Sequence, residues 1–256
     1  MTADMPSRGA GAKAFFRSLA DFIWPPRSLV SGARGIGRGP LSPEDFARLR
    51  FISGPLCDRC GVPLDYRTGD ETWCPACLAR PPRWGRARAA LVYDEVSRRP
   101  VLDLKRSGRR DGLPAFAGWM RQVGGPLIDM ADVIVPVPLH YTRLVTRGFN
   151  QSGWLAQALG RAAGKPVLVD ALVRIRRTPS QAGLARRARR RNVSGAFRVR
   201  RGREGRIAGA HVLLVDDVLT TGATLSACTR ALKRAGARQV DVLVLARVVR
   251  ETDVTI

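Results

Sequence analysis

Val212-Leu-Leu-Val-Asp-Asp-Val-Leu-Thr-Thr-Gly-Ala-Thr224 is the stretch on which the fold turns: an apolar run enters a helix through two carboxylates and a loop the size of one phosphate. Val212 to Val215 has the length and β-branched content of a parallel strand covered on both faces. Helical spacing resumes at Leu225, Cys228, Leu232 and Ala235, and Gly236 can cap it. The loop therefore lies at the carboxyl end of a strand and the amino end of a helix. There Thr220, Thr221, Gly222, Ala223 and Thr224 can aim backbone N–H groups and hydroxyls at one phosphate. Gly222 permits close approach, and the helix dipole favours negative charge. Asp216 and Asp217, one step earlier, suit a ribose diol or a hydrated Mg²⁺.

A Walker loop would need a Gly-rich run ending in Lys-Ser/Thr, and a dinucleotide fingerprint would need G-x-G-x-x-G; this segment has neither. Two carboxylates before a Thr-rich loop resemble the PRPP-binding motif of the type I phosphoribosyltransferases.

The surrounding sequence supplies an α/β frame. Ala89 to Tyr93 reads as a strand, followed by helical segments around Val101 to Lys105 and Ala115 to Val123. Val133-Ile-Val-Pro-Val-Pro-Leu139 reads as a buried strand that ends where Pro136 and Pro138 stop ladder pairing. Trp154, Leu155, Ala158, Leu159 and Ala162 hold one face of a long helix, closed by Gly164 and Pro166 before a short strand at Val167 to Val169. Val240 to Val249 is the final strand. This order argues for a parallel sheet with ligands at its carboxyl edge.

Cys57-x₂-Cys60, thirteen residues, then Cys74-x₂-Cys77 is the spacing of two knuckles around one tetrahedral Zn²⁺. Two disulfides or a redox-active C-x-x-C are the competing readings. The first conflicts with the lack of a secretory h-region, the second with two pairs outside a thioredoxin-like context. Four thiolates leave no open position, so the metal is structural. Cys228, on the core face of its helix, reads as a buried thiol.

The 256 residues carry 44 Lys plus Arg against 21 Asp plus Glu, a formal charge of +23, which predicts an acidic partner. Thirteen arginines and one acid lie between Arg174 and Arg206, so this segment alone contributes +12. A solvated basic face is the plainer reading of such a run. PRPP offers too little charge to engage so many guanidinium groups, whereas single-stranded nucleic acid suits them: Arg186, Arg187, Arg189, Arg190 and Arg191 can track phosphates. Phe149, Phe197 or Trp84, if exposed, can stack on bases. Apolar runs fall short of the roughly 20 residues a membrane helix needs. Phe15, Phe16, Leu19, Phe22 and Ile23 among Lys13 and Arg17 suggest a docking helix, and 27–40 a flexible linker. Ser42-Pro43-Glu44-Asp45 opens a short helix to about Arg50. The division expected is 1–50 for the amino-terminal helix and linker, 51–82 for the cysteine module and 83–256 for the α/β domain.

The Cys₄ module, Val133 to His140, Arg147-Gly-Phe-Asn-Gln151, Arg177-Thr-Pro-Ser-Gln-Ala-Gly-Leu184, Asn192-Val-Ser-Gly-Ala-Phe197 and the Asp216-Asp217 loop together resemble the ComF family of competence-associated proteins, from about Leu56 to Val249. The resemblance implies a type I phosphoribosyltransferase-like parallel sheet flanked by helices, with a small amino-terminal zinc ribbon. It also implies a cytoplasmic location, binding of PRPP with Mg²⁺ or of ribose 5-phosphate, and partners in single-stranded DNA and the competence machinery. Carried over by position, Asp216 and Asp217 hold ribose hydroxyls and Thr220 to Thr224 the 5′-phosphate. Pro138, Leu139 and His140 form the pyrophosphate loop, although His140 also reads as a surface imidazole. Arg143, Gln181 and Arg187 are the catalytic candidates, the last two on a mobile loop spanning Thr178 to Asn192. Enzymes acting on 6-oxopurines carry an acid immediately before the Thr-Gly of this motif. Thr220 stands there, which removes the general base of a purine-salvage enzyme. Two readings follow: phosphoribosyl transfer to an unidentified acceptor, or a non-catalytic nucleic-acid-binding protein that keeps the PRPP site as a ligand sensor.

Overall fold

The computed structural model describes residues 27–33, 40–65, 67, 69, 71–106, 108, 110–176 and 195–250. The chain divides into two compact units, 1–48 and 49–256. In the first, helix α1 (Pro43–Arg48) starts as its sequence directs, with Ser42 Oγ accepting the Asp45 N–H at 3.1 Å. It stops two residues short of the expected end. Residues 27–33 are not the bare linker expected: Leu29 and Val30 are buried, and the Ser28 and Ser31 hydroxyls donate to the Asp45 carboxylate.

The second unit contains a short helix α2 (Pro75–Ala79) in the cysteine module, then β1 (Ala87–Val92), α3 (Glu95–Arg106), α4 (Leu113–Met130), β2 (Val133–Pro136), α5 (Tyr141–Arg147) and α6 (Gln151–Ala163). There follow β3 (Leu172–Arg174), β4 (Phe197–Val199), α7 (Glu204–Ile207), β5 (His211–Leu219), α8 (Ala223–Arg234) and β6 (Gln239–Arg247). The main sheet has the order β1-β6-β5-β2 and is parallel throughout, while β3 and β4 form a separate antiparallel pair.

Burial on both faces explains the unbroken apolar runs. α4 and α6 pack on one face of the sheet, with Gly124 so close that a Cβ there would lie 2.6 Å from Leu243 Cδ2. α8 covers the other face, where Leu225, Cys228 and Leu232 meet Val212, Leu214, Val242 and Val244. Burial pushes the Cys228 thiol well above its ordinary range, as befits a core side chain. β5 runs to Leu219, past the expected end at Val215, because β6 keeps pairing with it through Asp216, Val218 and Leu219. The strand expected at Val167 to Val169 is instead one parallel bridge from Val167 to Ile134. Gly164 and Pro166 leave too little chain there for a full strand. Among the described residues no helix is long and apolar enough to cross a membrane.

Candidate functional site

At the carboxyl edge of the sheet, a cleft of about 300 Å³ opens between the end of β5, the segment after β2 and the start of α6. Its walls include Asp216, Asp217, Thr220 and Thr224, and also Pro138 and Leu139. Three cationic side chains, Lys105, Arg147 and Arg174, share the wall. The parallel sheet brings Pro138 and Leu139 beside Asp216 and Asp217 because β2 and β5 end on the same side, while Lys105, Arg147 and Arg174 come from α3, α5 and β3.

The two carboxylates are held by different neighbours. Ser152 Oγ donates to Asp216 Oδ1 at 2.8 Å, and the Asp217 backbone N–H donates to the same oxygen at 2.9 Å. Gln151 Nε2 donates to Asp217 Oδ2 at 3.0 Å, and Lys105 Nζ lies 3.2 Å from that oxygen. Burial, then repulsion from the Asp217 carboxylate, pushes Asp216 up to about 7, against the pull of Ser152 and Lys105. Asp216 is thus partly protonated near neutrality, and a ligand offering hydroxyl donors or a cation will draw it into the ionised form.

Below the carboxylates a notch of about 30 Å³ is lined by Asp216, Thr220, Gly222, Ala223 and Thr224. Gly222 caps α8 in the left-handed region, at φ 70°, with no side chain to bond the first N–H groups. That leaves the positive end of a twelve-residue helix for an anion. Thr221 has a different place: it lines a second cavity of about 80 Å³ with Cys60, Cys74, Cys77, Arg80, Trp84 and Arg247, and its Oγ1 is buried with no partner among the described residues.

The pyrophosphate-loop candidates separate too. Pro138 and Leu139 reach the cleft, whereas His140 is buried and caps α5, its Nδ1 accepting the Thr142 N–H at 3.3 Å. The surface-imidazole reading of His140 is therefore set aside. Arg143 lies within α5. Gln181, Arg186, Arg187, Arg189, Arg190 and Arg191 lie outside the described residues.

Lys105, Arg147, Gln151, Ser152 and Arg174 were not singled out as site residues. Lys105 reads as a helix end, and Arg147 to Gln151 lead into α6, where the Asn150 side chain accepts the Ser152 N–H at 3.2 Å. The entry also aims Gln151 and Ser152 at the carboxylates, which only the crossing of α6 over β5 can reveal. The stacking candidates need correction: Trp84 and Phe197 are buried. Phe149 instead stacks on Trp154 at 4.2 Å, and the Arg110 guanidinium lies 4.1 Å from the Trp154 ring. In the arginine-rich segment, Arg200 and Arg203 pair with Asp170, and Arg198, Arg201 and Arg206 are exposed.

The Cys57, Cys60, Cys74 and Cys77 sulfurs all lie within 4.8 Å of one another, and Cys60 Sγ is 3.7 Å from Cys74 Sγ. A tetrahedron with Zn–S bonds of about 2.3 Å has edges of about 3.8 Å, so the set fits Zn²⁺. Hydrogen bonds from the Cys60, Cys74 and Cys77 thiols hold the Cys57 thiol far below its usual range. The Cys74 N–H donates to Cys57 Sγ at 3.3 Å, and the Arg247 guanidinium donates to the Cys60 carbonyl. The knuckle packs directly on the sheet: a Cβ at Gly61 would lie 2.6 Å from the Ala87 carbonyl oxygen.

Comparison with known proteins agrees with both parts. Residues 129–254 match the phosphoribosyl transferase domain family and residues 19–80 the double zinc ribbon domain. All cysteines in the latter span lie between positions 57 and 77, enough for one metal. The chain is 35% identical over 199 residues to DNA utilization protein YhgH of Escherichia coli O157:H7, a match covering 75% of this chain and 84% of that one. Competence protein F of Haemophilus influenzae is 29% identical over 208 residues, covering 76% of this chain and 86% of that one. Competence protein ComFC of Bacillus subtilis is 26% identical over 198 residues, covering 74% and 76%. With the four-thiolate module, the parallel sheet and the Asp-Asp-Thr-Gly edge in place, these matches show that the chain belongs to the ComF family of competence-associated proteins and joins a zinc ribbon to a phosphoribosyltransferase domain.

Proposed function

We propose that the cleft binds a 5-phosphoribosyl ligand, PRPP with Mg²⁺ or ribose 5-phosphate, and that the protein transfers the phosphoribosyl group to an unidentified acceptor while handling single-stranded DNA in the cytoplasm. One observation carries the reading: Asp216 and Asp217 meet the amino end of α8 at a phosphate-sized notch, opposite Pro138 and Leu139. The 5′-phosphate then takes the Thr220 to Thr224 backbone, and the diol donates to the carboxylates. Arg147 and Arg174 face the pyrophosphate, and Mg²⁺ neutralises what they leave. Transfer breaks the C1–O bond to pyrophosphate, which leaves with the electron pair. The acceptor's lone pair closes on C1, and its proton passes to solvent. Arg143, Gln181 and Arg187 are the proposed catalytic residues, their charge and hydrogen bonds serving the departing pyrophosphate.

The DNA role is supported by the names of the relatives, DNA utilization protein and competence protein, and by the charge of +23. Proteins of the competence machinery are the proposed partners. Thr220, standing where purine-salvage enzymes carry an acid, favours a second reading in which the site senses PRPP without turning it over.

Calorimetry on zinc-loaded protein, with PRPP plus Mg²⁺ and with ribose 5-phosphate, tests the site. One ligand per chain is expected, and unchanged affinity in a double Asp216→Asn, Asp217→Asn variant would overturn the assignment. Pyrophosphate release from PRPP, against a panel of bases and nucleic acids, separates enzyme from sensor.

A further inference from the structure

Two adjacent carboxylates share a cleft into which the proposed ligand brings a phosphate dianion, so the site must find positive charge before it can hold that ligand. The anion end of the cleft is served by α8. The acidic end has its own cation in Lys105, whose Nζ lies 3.2 Å from Asp217 Oδ2. Asp217 is nearly closed off, at 4% exposure, and its Oδ2 also accepts from Gln151 at 3.0 Å. Lys105 lines the cleft rather than lying behind it, so it faces both the carboxylate and whatever enters. An ammonium suits this place. It is a compact point charge with three donors, able to bridge a carboxylate and a hydroxyl much as a small hydrated cation would.

We propose that Lys105 is a tethered cation of the ribose subsite, performing for the Asp216 and Asp217 pair what a divalent metal would otherwise have to do, so that ribose 5-phosphate binds without Mg²⁺. The inference rests on the phosphoribosyl reading of the cleft. It adds that the sugar end of the cleft carries a cation of its own in Lys105. Among the described residues, the other polar groups lining the cleft are Tyr93, Arg147, Gln151, Ser152, Arg174, Thr220 and Thr224, and the Cys228 thiol acts on Asp216 from the core. Of the two carboxylates, Asp216 is the one whose ionisation Lys105 assists from a distance.

The test is calorimetric titration of ribose 5-phosphate into the zinc-loaded full chain, in buffer stripped of free divalent ions and again with millimolar MgCl₂. The parent is expected to bind in both, with affinities within about twofold. Lys105→Met is expected to lose about tenfold or more without Mg²⁺, the scale of a lost hydrogen bond to a charged group, and to regain most of it with Mg²⁺. Lys105→Arg, which keeps the charge, should retain most of the parent's affinity. The pH at which binding reaches half its maximum should rise in Lys105→Met, as loss of any cation beside Asp216 requires, so it is the recovery with Mg²⁺ that separates a ribose-site cation from a purely structural ion pair. Recovery with Mg²⁺ also shows that the Met variant is folded. Equal binding by parent and Lys105→Met in divalent-free buffer would overturn the proposal, as would a parent that binds only with Mg²⁺; both leave the phosphoribosyl site standing. A parent that binds neither ribose 5-phosphate nor PRPP under any condition overturns that site and this inference with it.

Discussion

The Trp84 ring occupies the space that a side chain at Gly222 would need: a Cβ built there would lie 2.5 Å from Trp84 Cη2. The same indole donates from Nε1 to the Arg59 carbonyl at 2.8 Å, inside the first cysteine knuckle. One buried aromatic thus packs on Gly222 at the start of α8 with its ring and bonds the cysteine module with its N–H.

Gly222→Ala should therefore cost stability twice over, once for φ 70° and once for the clash. The left-handed backbone alone costs about 1–2 kcal/mol. Gly202→Ala is the control, since Gly202 has φ 81° with nothing within 4 Å of a built Cβ. Denaturant unfolding should show the larger loss at 222, accompanied by weaker ribose 5-phosphate binding. Equal losses would mean that Trp84 yields without consequence.

Zinc removal follows the same line of contact. One Zn²⁺ per chain is expected by metal analysis, and Cys74→Ser should lower both zinc content and thermal stability, because the knuckle is packed on β1 and tied to β6 through Arg247. A zinc-free parent, or a Cys74→Ser variant as stable as the parent, would remove the metal from the account.

Much of this was legible in the sequence, for reasons that differ from part to part. Val212 to Val215 and Val133 to Pro136 are strands because both faces are covered, and an unbroken apolar run states that locally. Cys57 to Cys77 is equally local, its geometry being set by spacing. The cleft's other wall is not: Lys105 and Ser152 reach the carboxylates across 112 and 64 residues of chain, and no periodicity encodes which helix end crosses which strand end. Thr221 and His140 suit the ligand by residue type, but the Thr221 hydroxyl is buried in the other cavity and the His140 ring caps α5, placements that no local pattern states.

Thr220 and Thr221 now carry opposite expectations. Thr220→Val, at the notch, should weaken ribose 5-phosphate by about 1 kcal/mol, the worth of a neutral hydrogen bond. Thr221→Val should leave affinity nearly unchanged, since its hydroxyl is buried in the other cavity. Calorimetry of the two variants side by side decides the matter, and an equal loss would return Thr221 to the phosphate.

Stability should depend on pH through Asp216. Its folded pKa of about 7 lies above the ordinary carboxylate value of 3.8, so the folded state holds the proton more tightly than the unfolded chain. The contribution is fully present below about pH 4 and is lost as pH rises toward 7. Asp216→Asn, which never ionises, should flatten that part of the profile and exceed the parent's stability at pH 8 by on the order of 1 kcal/mol or more. Urea unfolding at pH 5 and pH 8 measures it. A parent no less stable at pH 8 than at pH 5, matched by an unaltered variant, would show that Asp216 is ionised without cost.

Single-stranded DNA should bind with little sequence preference and steep salt dependence. The segment from Arg174 to Arg206 supplies charge and planar guanidinium groups but no fixed array for reading base edges. Arg198, Arg201 and Arg206 are exposed, whereas Arg200 and Arg203 are partly spent on Asp170, so the strongest contribution should come from Arg186, Arg187, Arg189, Arg190 and Arg191. Each phosphate neutralised on a single strand adds about 0.7 to the slope of log affinity against log salt. Changing these five to Glu should therefore flatten the slope as well as weaken binding, measured by fluorescence anisotropy across a salt series. Trp154→Ala should instead weaken binding at an unchanged slope if the stacked Phe149, Trp154 and Arg110 contact bases, because stacking releases no counterions. If the five-Glu variant binds DNA as the parent does yet no longer releases pyrophosphate from PRPP, those arginines close over the cleft, and the DNA must be sought on another face.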